Sequence, residues 1–408
     1  MRLYKAIGLL TLATLGSANA GASGFMIPEQ GTKAMSMGNA FAAVADDPSA
    51  NWFNPAGLAF QSNGVMASGD IILPTNKFTD PATGKSYTAE KKVFVLPLAY
   101  VNYHIEDTKF TLGLGVNSPF GLSTNWGNSG APFSQVMAGS KSVTFSQIEG
   151  VHINPNVVYQ FNDNLSVAAG LAYYNLTKVH LDSQALKIGG HGNGLGSNAA
   201  LMYKNGGLGI GISYRSSVSV DVNGTAVGGP ALSIFGLTGV AGKVKTSVKM
   251  PAIISVGVSY RIEDWLLSLQ ADQVDWSSFN QIDLSFAPSA LNLVTTSNST
   301  IKEGWKKTTA YRLGVEWAMS ENDDIRFGYV TDPTPTNSVD LSPRLPGNDR
   351  QLLGLGYGTK LADNIQLDFS YAYVWLKDRN LTTAATTVYN GFYKSTVHMF
   401  SGGLVYRF

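Results

Sequence analysis

The sequence predicts an all-β fold, a fourteen-stranded antiparallel transmembrane β-barrel with an N-terminal hatch, or plug, of short helices. The last stretch of the chain alternates with a period of two, which places Phe400, Leu404 and Tyr406 on one face. The chain then ends on the aromatic residue Phe408. The same alternation recurs along the chain without a helical segment between one strand and the next, as expected of a barrel in the bacterial outer membrane.

The first twenty residues have the three parts of a secretory signal peptide. Arg2 and Lys5 form a short basic region, residues 6–15 form an apolar run, and residues 18–20 form a small-residue cleavage site. The apolar run is too short to span a bilayer, which disfavours the alternative of a membrane anchor. We expect the mature chain to begin at Gly21.

Residues 21–62 precede the first predicted strand and carry two helix-start signals. Asp47 and Asn54 each stand directly before a proline, so that a capping side chain precedes proline at the first helical position. A segment of about forty residues is too small to hold a core of its own. We therefore predict that this hatch packs inside a barrel formed by residues 63–408.

The clearest predicted strand covers residues 365–376. Its odd-numbered positions from 367 to 375 are leucine or aromatic, whereas its even-numbered positions from 366 to 374 are Gln, Asp, Ser, Ala and Val. We expect the first face to contact lipid and the second to face the lumen. Charged residues occupy the predicted lumenal faces of other strands, at Arg215, Arg261, Arg312, Glu316, Arg326 and Lys360.

Short turns rich in Asn, Asp and Gly alternate with long connections along the chain. The predicted turns lie at 106–107, 162–164, 205–206, 263–264, 322–323 and 363–364. The predicted long loops lie around 75–91, 121–142, 183–195, 222–246, 277–304, 332–349 and 378–394. Six turns and seven loops require fourteen strands, and both barrel ends are then periplasmic, because short turns are periplasmic in such barrels.

Composition excludes several classes of function. The chain has 29 basic and 28 acidic residues, so it has no bulk charge to attract nucleic acid, which we exclude as a partner. It has no cysteine, so neither a disulfide nor a thiolate metal site is possible, and we expect no metal and no other cofactor. The five histidines are scattered, with no motif of a metalloprotease or serine hydrolase, so we expect no catalytic residues and no enzyme activity.

Four stretches along the chain share their residues with one family. They are MSMGNAFAAVADDPSANWFNPAGLAF, which contains Asn54, Pro55 and Ala56, then GVNSPFGLSTNW, GISYRSSV, and EGWKKTTAYRLGVEW continuing through RFGYVTDPTPTNSVDLSPRLPGNDR. In this order they resemble the FadL/TodX family of outer-membrane transporters for long-chain fatty acids and hydrocarbons. The resemblance covers essentially the whole mature chain and implies passive transport of hydrophobic compounds through a plugged barrel.

The third predicted strand contains residues that disrupt strand pairing. Gly113 and Gly115 precede Pro119 and Gly121. Proline removes a ladder donor and glycine permits a bulge, so this strand should bend out of register and open a gap in the wall. In the family that the sequence resembles, such a gap is the lateral exit to the membrane. The alternative is an ordinary bulge at the rim without a port.

Two predicted external loops, at 227–242 and 284–294, are unusually apolar. An exposed apolar patch usually marks a binding surface, so we predict that Phe235, Leu237 and Leu291 contact a hydrophobic ligand. The alternative is that these loops pack on one another or on lipopolysaccharide.

The resemblance also implies positions for a ligand head group. Members of the family use basic side chains near the external strand ends for the carboxylate of a fatty acid, and alignment indicates Lys178 and Lys302 here. It further implies that Phe25, in the hatch, lies near the ligand. If no basic residue reaches the ligand, a neutral hydrocarbon becomes the better substrate.

The sequence therefore favours passive transport of long-chain fatty acids, by capture on apolar loops, transfer to a lumenal site and lateral exit. Uptake of aromatic or alkane hydrocarbons by the same route is the alternative, and a general porin is less favoured because a hatch precedes the barrel. We expect a monomer that the barrel-assembly machinery inserts through Phe408. Its other expected partners are outer-membrane lipid and the phosphates of lipopolysaccharide, near residues 91–92 and 306–307.

Overall fold

A computed structural model describes residues 24–293, 295 and 297–408, so the predicted signal peptide lies outside the described residues. This part of the chain has two short α-helices, α1 (Thr32–Ser36) and α2 (Ala50–Phe53). Its 3-10 helices are Pro55–Phe60, Pro132–Ser134, Val136–Lys141, Pro230–Phe235, Trp276–Ser278, Ala290–Leu293 and Thr387–Tyr389. None of the helices in the described ranges has the length and apolar character needed to cross a membrane.

The described strands form one continuous antiparallel sheet. In chain order they are β1 (Gly64–Thr79), β2 (Ser86–Thr88), β3 (Phe94–His104), β4 (Phe110–Asn117), β5 (Leu122–Asn125), β6 (Phe145–Asn162), β7 (Leu165–Asp182), β8 (Leu186–Asn205), β9 (Leu208–Arg215), β10 (Val218–Gly228), β11 (Ala241–Met250), β12 (Ile253–Ile262), β13 (Trp265–Val274), β14 (Gln281–Phe286), β15 (Asn298–Lys302), β16 (Thr308–Ala318), β17 (Asp323–Asp332), β18 (Arg350–Ala362), β19 (Ile365–Leu376), β20 (Arg379–Leu381) and β21 (Gly391–Arg407).

Fourteen of these strands close into a barrel. Around the ring they are β1, β3, β4, β6, β7, β8, β9, β12, β13, β16, β17, β18, β19 and β21. The ring closes where β21 pairs with β1, from Gly64 opposite Arg407 to Thr79 opposite Phe392. The predicted fourteen-stranded antiparallel barrel is therefore confirmed, and the first residue of β1 lies beside the last residue of β21 at one rim.

The six predicted short turns all connect neighbouring wall strands at the rim that holds the chain termini. Asp107 and Glu263, in two of these turns, adopt the left-handed backbone conformation, with φ of 57° and 50°. That conformation reverses the chain over few residues, and a short polar side chain such as that of Asp107 tolerates it better than most. The opposite rim carries the long connections.

The two faces of the wall have the predicted polarity over most of its height. Exposed apolar side chains form a ring on the outer face, which we call the apolar belt; examples are Ile212, Val256, Leu269, Phe327 and Phe369. On the inner face, the predicted lumenal charges Arg215, Arg312, Glu316 and Arg326 are buried. Arg261 also points inward, because it pairs with Glu316 at 2.9 Å. Lys360 lines a cavity at the rim of the chain termini.

Several segments predicted as long loops are in fact strands. Most of 183–195 lies in β8, 222–246 contains parts of β10 and β11, and 277–304 contains β14 and β15. The prediction failed because the polarity of the two faces is reversed there. Val244 of β11 is buried inside, while the neighbouring Lys243 is exposed outside. These strands continue the wall beyond the apolar belt, towards the rim opposite the chain termini.

Residues 24–62, which we call the lumenal segment, lie inside the ring. Helix α1 contacts β1, β17, β18, β19 and β21, whereas α2 and the 3-10 helix that follows it contact β4 and β6. The backbones approach each other directly at glycines of the wall. A Cβ atom on Gly328 would lie 2.0 Å from the nitrogen of Gly38, and one on Gly211 would lie 1.9 Å from the carbonyl oxygen of Ala42. Side chains at these two wall positions would therefore separate the lumenal segment from the wall.

Candidate functional site

A largely apolar cavity occupies the end of the barrel opposite the chain termini. Its empty volume, which includes the solvent at its open mouth, is about 890 Å³. The inner faces of β6, β7, β8, β10, β11 and β14 form most of its wall. The lining residues are Phe25, Leu122, Ser146, Ile148, Val179, His180, Leu181, Ile188, Gly189, Gly190, Val222, Gly224, Val244, Thr246, Val248, Phe279, Ile282, Leu284, Glu303, Trp305, Thr336, Leu341, Ser342, Arg344 and Leu345.

The floor of the cavity is an aromatic cluster centred on Phe25. The ring of Phe25 lies 4.9 Å from that of Trp276, 5.0 Å from that of Phe279 and 5.9 Å from that of Trp305, measured between centroids. Gly24 has a φ of +60°, and a Cβ atom there would lie 2.6 Å from both Trp276 and Trp305. Only glycine fits at this position, and it allows Phe25 to enter the cluster. The resemblance implied a place near the ligand for Phe25, and its role in binding stays a prediction.

The lining contains one guanidinium, that of Arg344. Its Nη1 donates to the hydroxyl of Ser342 at 3.2 Å. Its Nε is buried without a hydrogen-bond partner among the described residues, and no described carboxylate lies within ion-pair distance of the side chain. A buried donor without a partner costs about 1–3 kcal/mol, and more when it is charged. Arg344 is therefore a ready donor for an anionic group that enters the cavity.

Glu303 is a second ionisable group in the lining. It lies in the connection between β15 and β16, outside the strands, and is 9% exposed. Burial raises the pKa of its carboxyl to about 7, because the charged form loses its hydration, while Arg344 and a hydrogen bond from Trp305 act in the opposite direction. The carboxyl is thus largely neutral at slightly acid pH and largely ionised at slightly alkaline pH.

The two lysines predicted for the head group do not line the cavity. Lys178 is 3.2 Å from Glu149, and its side chain is 53% exposed. A register shift between Leu176 and Val179 turns Lys178 away, so that Val179 lines the cavity instead. Neither lysine lines the cavity, and the basic side chains in its lining are those of Arg344 and His180. A ligand contact by either lysine stays a prediction that this geometry does not support.

Lys302 fails to reach the cavity because of strand alternation. Its neighbour Ile301 pairs with Ile282, which lines the cavity, so Lys302 points to the other face of the sheet and is exposed. Arg344 was not predicted to reach the cavity, because it lies in the irregular segment 332–349, where no periodicity assigns its side chain to a face. The one sequence feature that pointed to Arg344 was its position in the last stretch that resembles the family.

The apolar residues predicted to contact the ligand divide into two groups. Leu237 and Leu291 are buried in a cluster of the external hairpins with Leu232, Val244 and Leu284, so here the loops pack on one another, as the alternative stated. Phe235 is 58% exposed, and it lies beside Ile234, which is 83% exposed. The neighbouring hairpin exposes Leu293 by 81%. We call Ile234, Phe235 and Leu293 the apolar tip.

The predicted hatch motif connects the lumenal segment to the wall. Asn54 caps the 3-10 helix that begins at Pro55, because its Oδ1 accepts from the backbone nitrogen of Ala56 at 3.1 Å. Its Nδ2 donates to the carbonyl oxygens of Ala42 at 2.7 Å and Leu201 at 3.1 Å. The helix start predicted at Asn54 is thus confirmed. The one predicted at Asp47 begins later, at Ala50, with Ser49 as the capping residue.

The wall is interrupted where the chain leaves β4. Residues 118–121 turn inward and meet the lumenal segment: Ile27 donates to the carbonyl oxygen of Pro119, and Gly121 donates to that of Phe25, both at 2.8 Å. The chain then re-enters the sheet as β5, which pairs with β6 and not with β3. Within the described chain, residues 94–98 of β3 therefore pair only with β1. We call this interruption the wall gap.

Pro119 and Gly121 lie in the wall gap, whereas Gly113 and Gly115 do not. Both of these glycines stay in regular pairing inside β4. A Cβ atom at either position would lie 2.5–2.6 Å from the side chain of Asn51. Their lack of a side chain therefore serves the contact with the lumenal segment, and the bend begins at Ser118.

Comparisons with known proteins agree with this architecture. A family model described as "Outer membrane protein transport protein (OMPP1/FadL/TodX)" matches residues 13–408. The putative outer membrane protein NMB0088 of Neisseria meningitidis serogroup B is 25% identical, with 94% of this chain and 92% of the relative covered. The long-chain fatty acid transport protein of Escherichia coli O6:H1 is 21% identical, with 91% of each chain covered.

Among solved structures, the fold is similar to that of a Pseudomonas aeruginosa FadL homologue. The TM-score is 0.79 at 18% identity, and the match covers 95% of this chain and 100% of that one. At this identity the structural match supports the fold, and the family model supports the relationship.

Proposed function

This chain belongs to the outer membrane protein transport family (OMPP1/FadL/TodX), and from that premise we propose that it carries long-chain fatty acids across the outer membrane. The predicted family and the predicted outer-membrane location are both confirmed. Transport of hydrophobic compounds follows from the family. The choice of fatty acids rests on one observation, the guanidinium of Arg344, which forms no ion pair with a described residue and lies in a largely apolar cavity.

The cavity suits an amphipathic ligand with an acidic end. Each methylene group removed from water contributes about 0.8 kcal/mol. An acyl chain therefore binds such a lining without an energy source, after the cost of ordering it is subtracted. A carboxylate near Arg344 adds a charge-assisted hydrogen bond, which is stronger than a neutral one. A relative described as a long-chain fatty acid transport protein supports this substrate class.

We assign the first contact with the ligand to the apolar tip. Ile234, Phe235 and Leu293 are exposed at the external rim. Exposure of apolar surface to water is unfavourable, and a hydrophobic ligand that covers these side chains removes it from water. Leu237 and Leu291 then serve to hold the two hairpins together below the tip.

We assign the exit to the wall gap and the role of a plug to residues 24–62. Below the cavity the lumen is filled by buried ion pairs, including Lys33 with Glu316 at 2.7 Å and Arg326 with Glu316 at 2.8 Å. An acyl chain that passed straight down would have to separate these charges, which costs several kcal/mol for each buried ion. We infer that the acyl chain instead passes through the wall gap, beside β3, to the apolar belt; Leu122 and Ile148, which line the cavity, and the edge of residues 94–98 in β3 that is unpaired within the described chain support this route.

A binding titration of the full chain in detergent tests the substrate. Oleate and toluene each compete with a fluorescent fatty acid, using the unchanged protein, Arg344→Met and Lys302→Met. We expect oleate to bind saturably and Arg344→Met to weaken it by roughly tenfold to a hundredfold, since a hydrogen bond to a charged group contributes about 1.5–3 kcal/mol. Toluene should be unaffected by either change.

Lys302→Met is the matched control, because it removes a nearby cation that does not line the cavity. Displacement of the probe by toluene alone would favour uptake of hydrocarbons. The absence of saturable binding would count against a transporter and favour the general porin. Deletion of residues 24–62 further distinguishes a plugged transporter from a general porin. Removal of a plug increases the ion conductance of the barrel, whereas the conductance of a barrel that is already open should change little.

A further inference from the structure

The sheet around the cavity has a second face, which points away from the barrel axis and is rich in lysine. In β11, Val244 and Val248 line the cavity, while Lys243, Lys245 and Lys249 are exposed on the opposite face. Alternation along a strand places these two sets on opposite sides.

Neighbouring strands extend this cationic face. Lys187 of β8 and Lys302 of β15 are exposed on it as well, and the residues paired with Lys245 are Asn223 of β10 and Ser285 of β14. We call the five lysines 187, 243, 245, 249 and 302 the lysine face. No member of the lysine face forms an ion pair within the described chain, where the recorded pairs all involve other residues.

Few acidic groups share this surface. Asp221 and Asp283 are exposed on it, and so is His191. The carboxylate of Asp283 is already engaged, because it accepts hydrogen bonds from Gln281 at 2.9 Å and from Thr300 at 2.7 Å. The lysine face therefore keeps a net positive charge at neutral pH.

The lysine face begins where the apolar belt ends. In β12, Ile254, Val256 and Val258 are exposed and apolar, and the polarity changes across the break between β12 and β11. Lys249 is the lysine of β11 nearest to this break, and Lys243 lies about 20 Å further along the strand, at roughly 3.3 Å per residue. The lysines nearest to this break thus lie in the layer of head groups above the hydrocarbon of the outer leaflet, and Lys243 and Lys187 lie further out.

We propose that the lysine face binds the phosphate groups of lipopolysaccharide. The lipid of the outer leaflet is anionic through its phosphates, and an ammonium group is a compact partner for a phosphate. Each lysine near an anionic membrane surface adds to the attraction between the protein and that surface. This surface lies outside the cavity, so the inference is independent of the substrate proposed above.

The test uses the full chain in detergent and two double variants. Lys245→Gln/Lys249→Gln removes the two cations nearest the apolar belt, and Lys109→Gln/Lys360→Gln removes two lysines at the opposite rim as a control. The probes are intact lipopolysaccharide and the same material with its phosphates removed. Heat-modified mobility on a gel shows that each variant is folded before binding is measured.

We expect Lys245→Gln/Lys249→Gln to bind intact lipopolysaccharide at least tenfold more weakly than the unchanged protein, and the control to bind it equally well. Dephosphorylated material should bind all three proteins weakly, and added salt should reduce the binding of the intact material. Equal binding of intact lipopolysaccharide by the unchanged protein and by Lys245→Gln/Lys249→Gln would overturn the proposal. The proposal would also be overturned if the unchanged protein bound dephosphorylated and intact lipopolysaccharide equally well, because acyl chains alone would then explain the contact.

Discussion

The ammonium group of Lys33, in α1, lies 2.7 Å from Oε2 of Glu316, in β16, and this pair ties the lumenal segment to the wall. Glu316 also forms ion pairs with Arg261 at 2.9 Å and with Arg326 at 2.8 Å. Lys33 forms a second ion pair with Asp46, at 2.9 Å. Both partners of the central pair are almost fully buried. The lumenal segment is therefore held to the wall by a cluster of charges whose central pair is almost fully buried.

We predict that Glu316→Gln lowers the stability of the barrel and makes it leaky. Glu316 is the carboxylate that Lys33, Arg261 and Arg326 share, so its loss removes one counter-charge from each; Lys33 keeps Asp46, and Arg326 keeps Asp324 and Asp368. Breaking a buried pair costs up to roughly 3–5 kcal/mol, and we expect the remaining pairs to reduce that cost. The measurements are the urea midpoint of unfolding and the ion conductance in a planar bilayer. Lys377→Met is the control, because Lys377 forms an exposed pair with Asp349 at 3.2 Å and such pairs contribute about 0–1 kcal/mol. Equal effects of the two changes would contradict the prediction.

A methyl group at Gly328 should also displace the lumenal segment. The added Cβ would lie 2.0 Å from the nitrogen of Gly38, in contact with backbone that cannot rotate away. Overpacking of this kind costs about 1–3 kcal/mol, which we expect as a lower melting temperature for Gly328→Ala. Gly402→Ala is the control, since no heavy atom lies within 4 Å of a Cβ atom at that position. If both variants melt alike, the close approach is not a constraint on the fold.

Two engineered disulfides can show which part of the lumenal segment moves. Met26 and Phe120 are paired across an isolated antiparallel bridge, a geometry whose short Cα distance suits a disulfide. The hydroxyls of Thr32 and Ser401 are 2.7 Å apart. The chain has no cysteine of its own, so each engineered pair forms a single cross-link.

We expect the Met26→Cys/Phe120→Cys cross-link to block uptake of labelled oleate, because residues 24–28 cover the wall gap from inside. The Thr32→Cys/Ser401→Cys cross-link should leave uptake unchanged, because the ion pairs of Lys33 already hold α1 in place. A reducing agent should restore uptake in the first case, which separates the cross-link from the substitutions. Block by both cross-links would mean that the whole lumenal segment moves, and block by neither would argue against exit through the wall gap.

The affinity for oleate should fall as the pH rises through about 7. Burial raises the pKa of Glu303 to about 7, so its carboxyl is neutral below this pH and ionised above it. The ionised form competes for Arg344 and repels the carboxylate of the ligand, which we expect to weaken binding by roughly tenfold between pH 6 and pH 8.

Glu303→Gln should remove this pH dependence, and toluene should show none with either protein. Glu106→Gln, at an exposed turn on the opposite rim, is the matched control and should keep the dependence. A pH profile that survives Glu303→Gln would assign the titration to another group. Because the pKa of Glu303 is raised in the folded chain, its contribution to stability is also lost as the pH rises through about 7, and Glu303→Gln should flatten that loss.

The barrel itself was predictable because lipid imposes a simple rule on the chain. A strand such as residues 365–376 must place its apolar side chains outward, and its Asp368 and Ser370 accordingly lie on the buried inner face. The short turns were predictable for a related reason, since a two-residue reversal needs the side chains that tolerate it. Beyond the apolar belt the rule reverses: Lys243 points outward and Val244 inward, so segments with the opposite pattern were misread as loops.

The number of strands, the polarity of the faces within the apolar belt and the family were thus predictable from the sequence alone, because each depends on local periodicity or on residues adjacent in the chain. It could not determine which cation enters the cavity. Lys302 and Arg344 are both basic and both lie near the external rim, but the pairing of Ile301 with Ile282 turns Lys302 outward. Arg344 reaches the lining from an irregular loop. Which side chains converge on a point is set by strand register and loop path, and these depend on contacts between residues far apart in the chain.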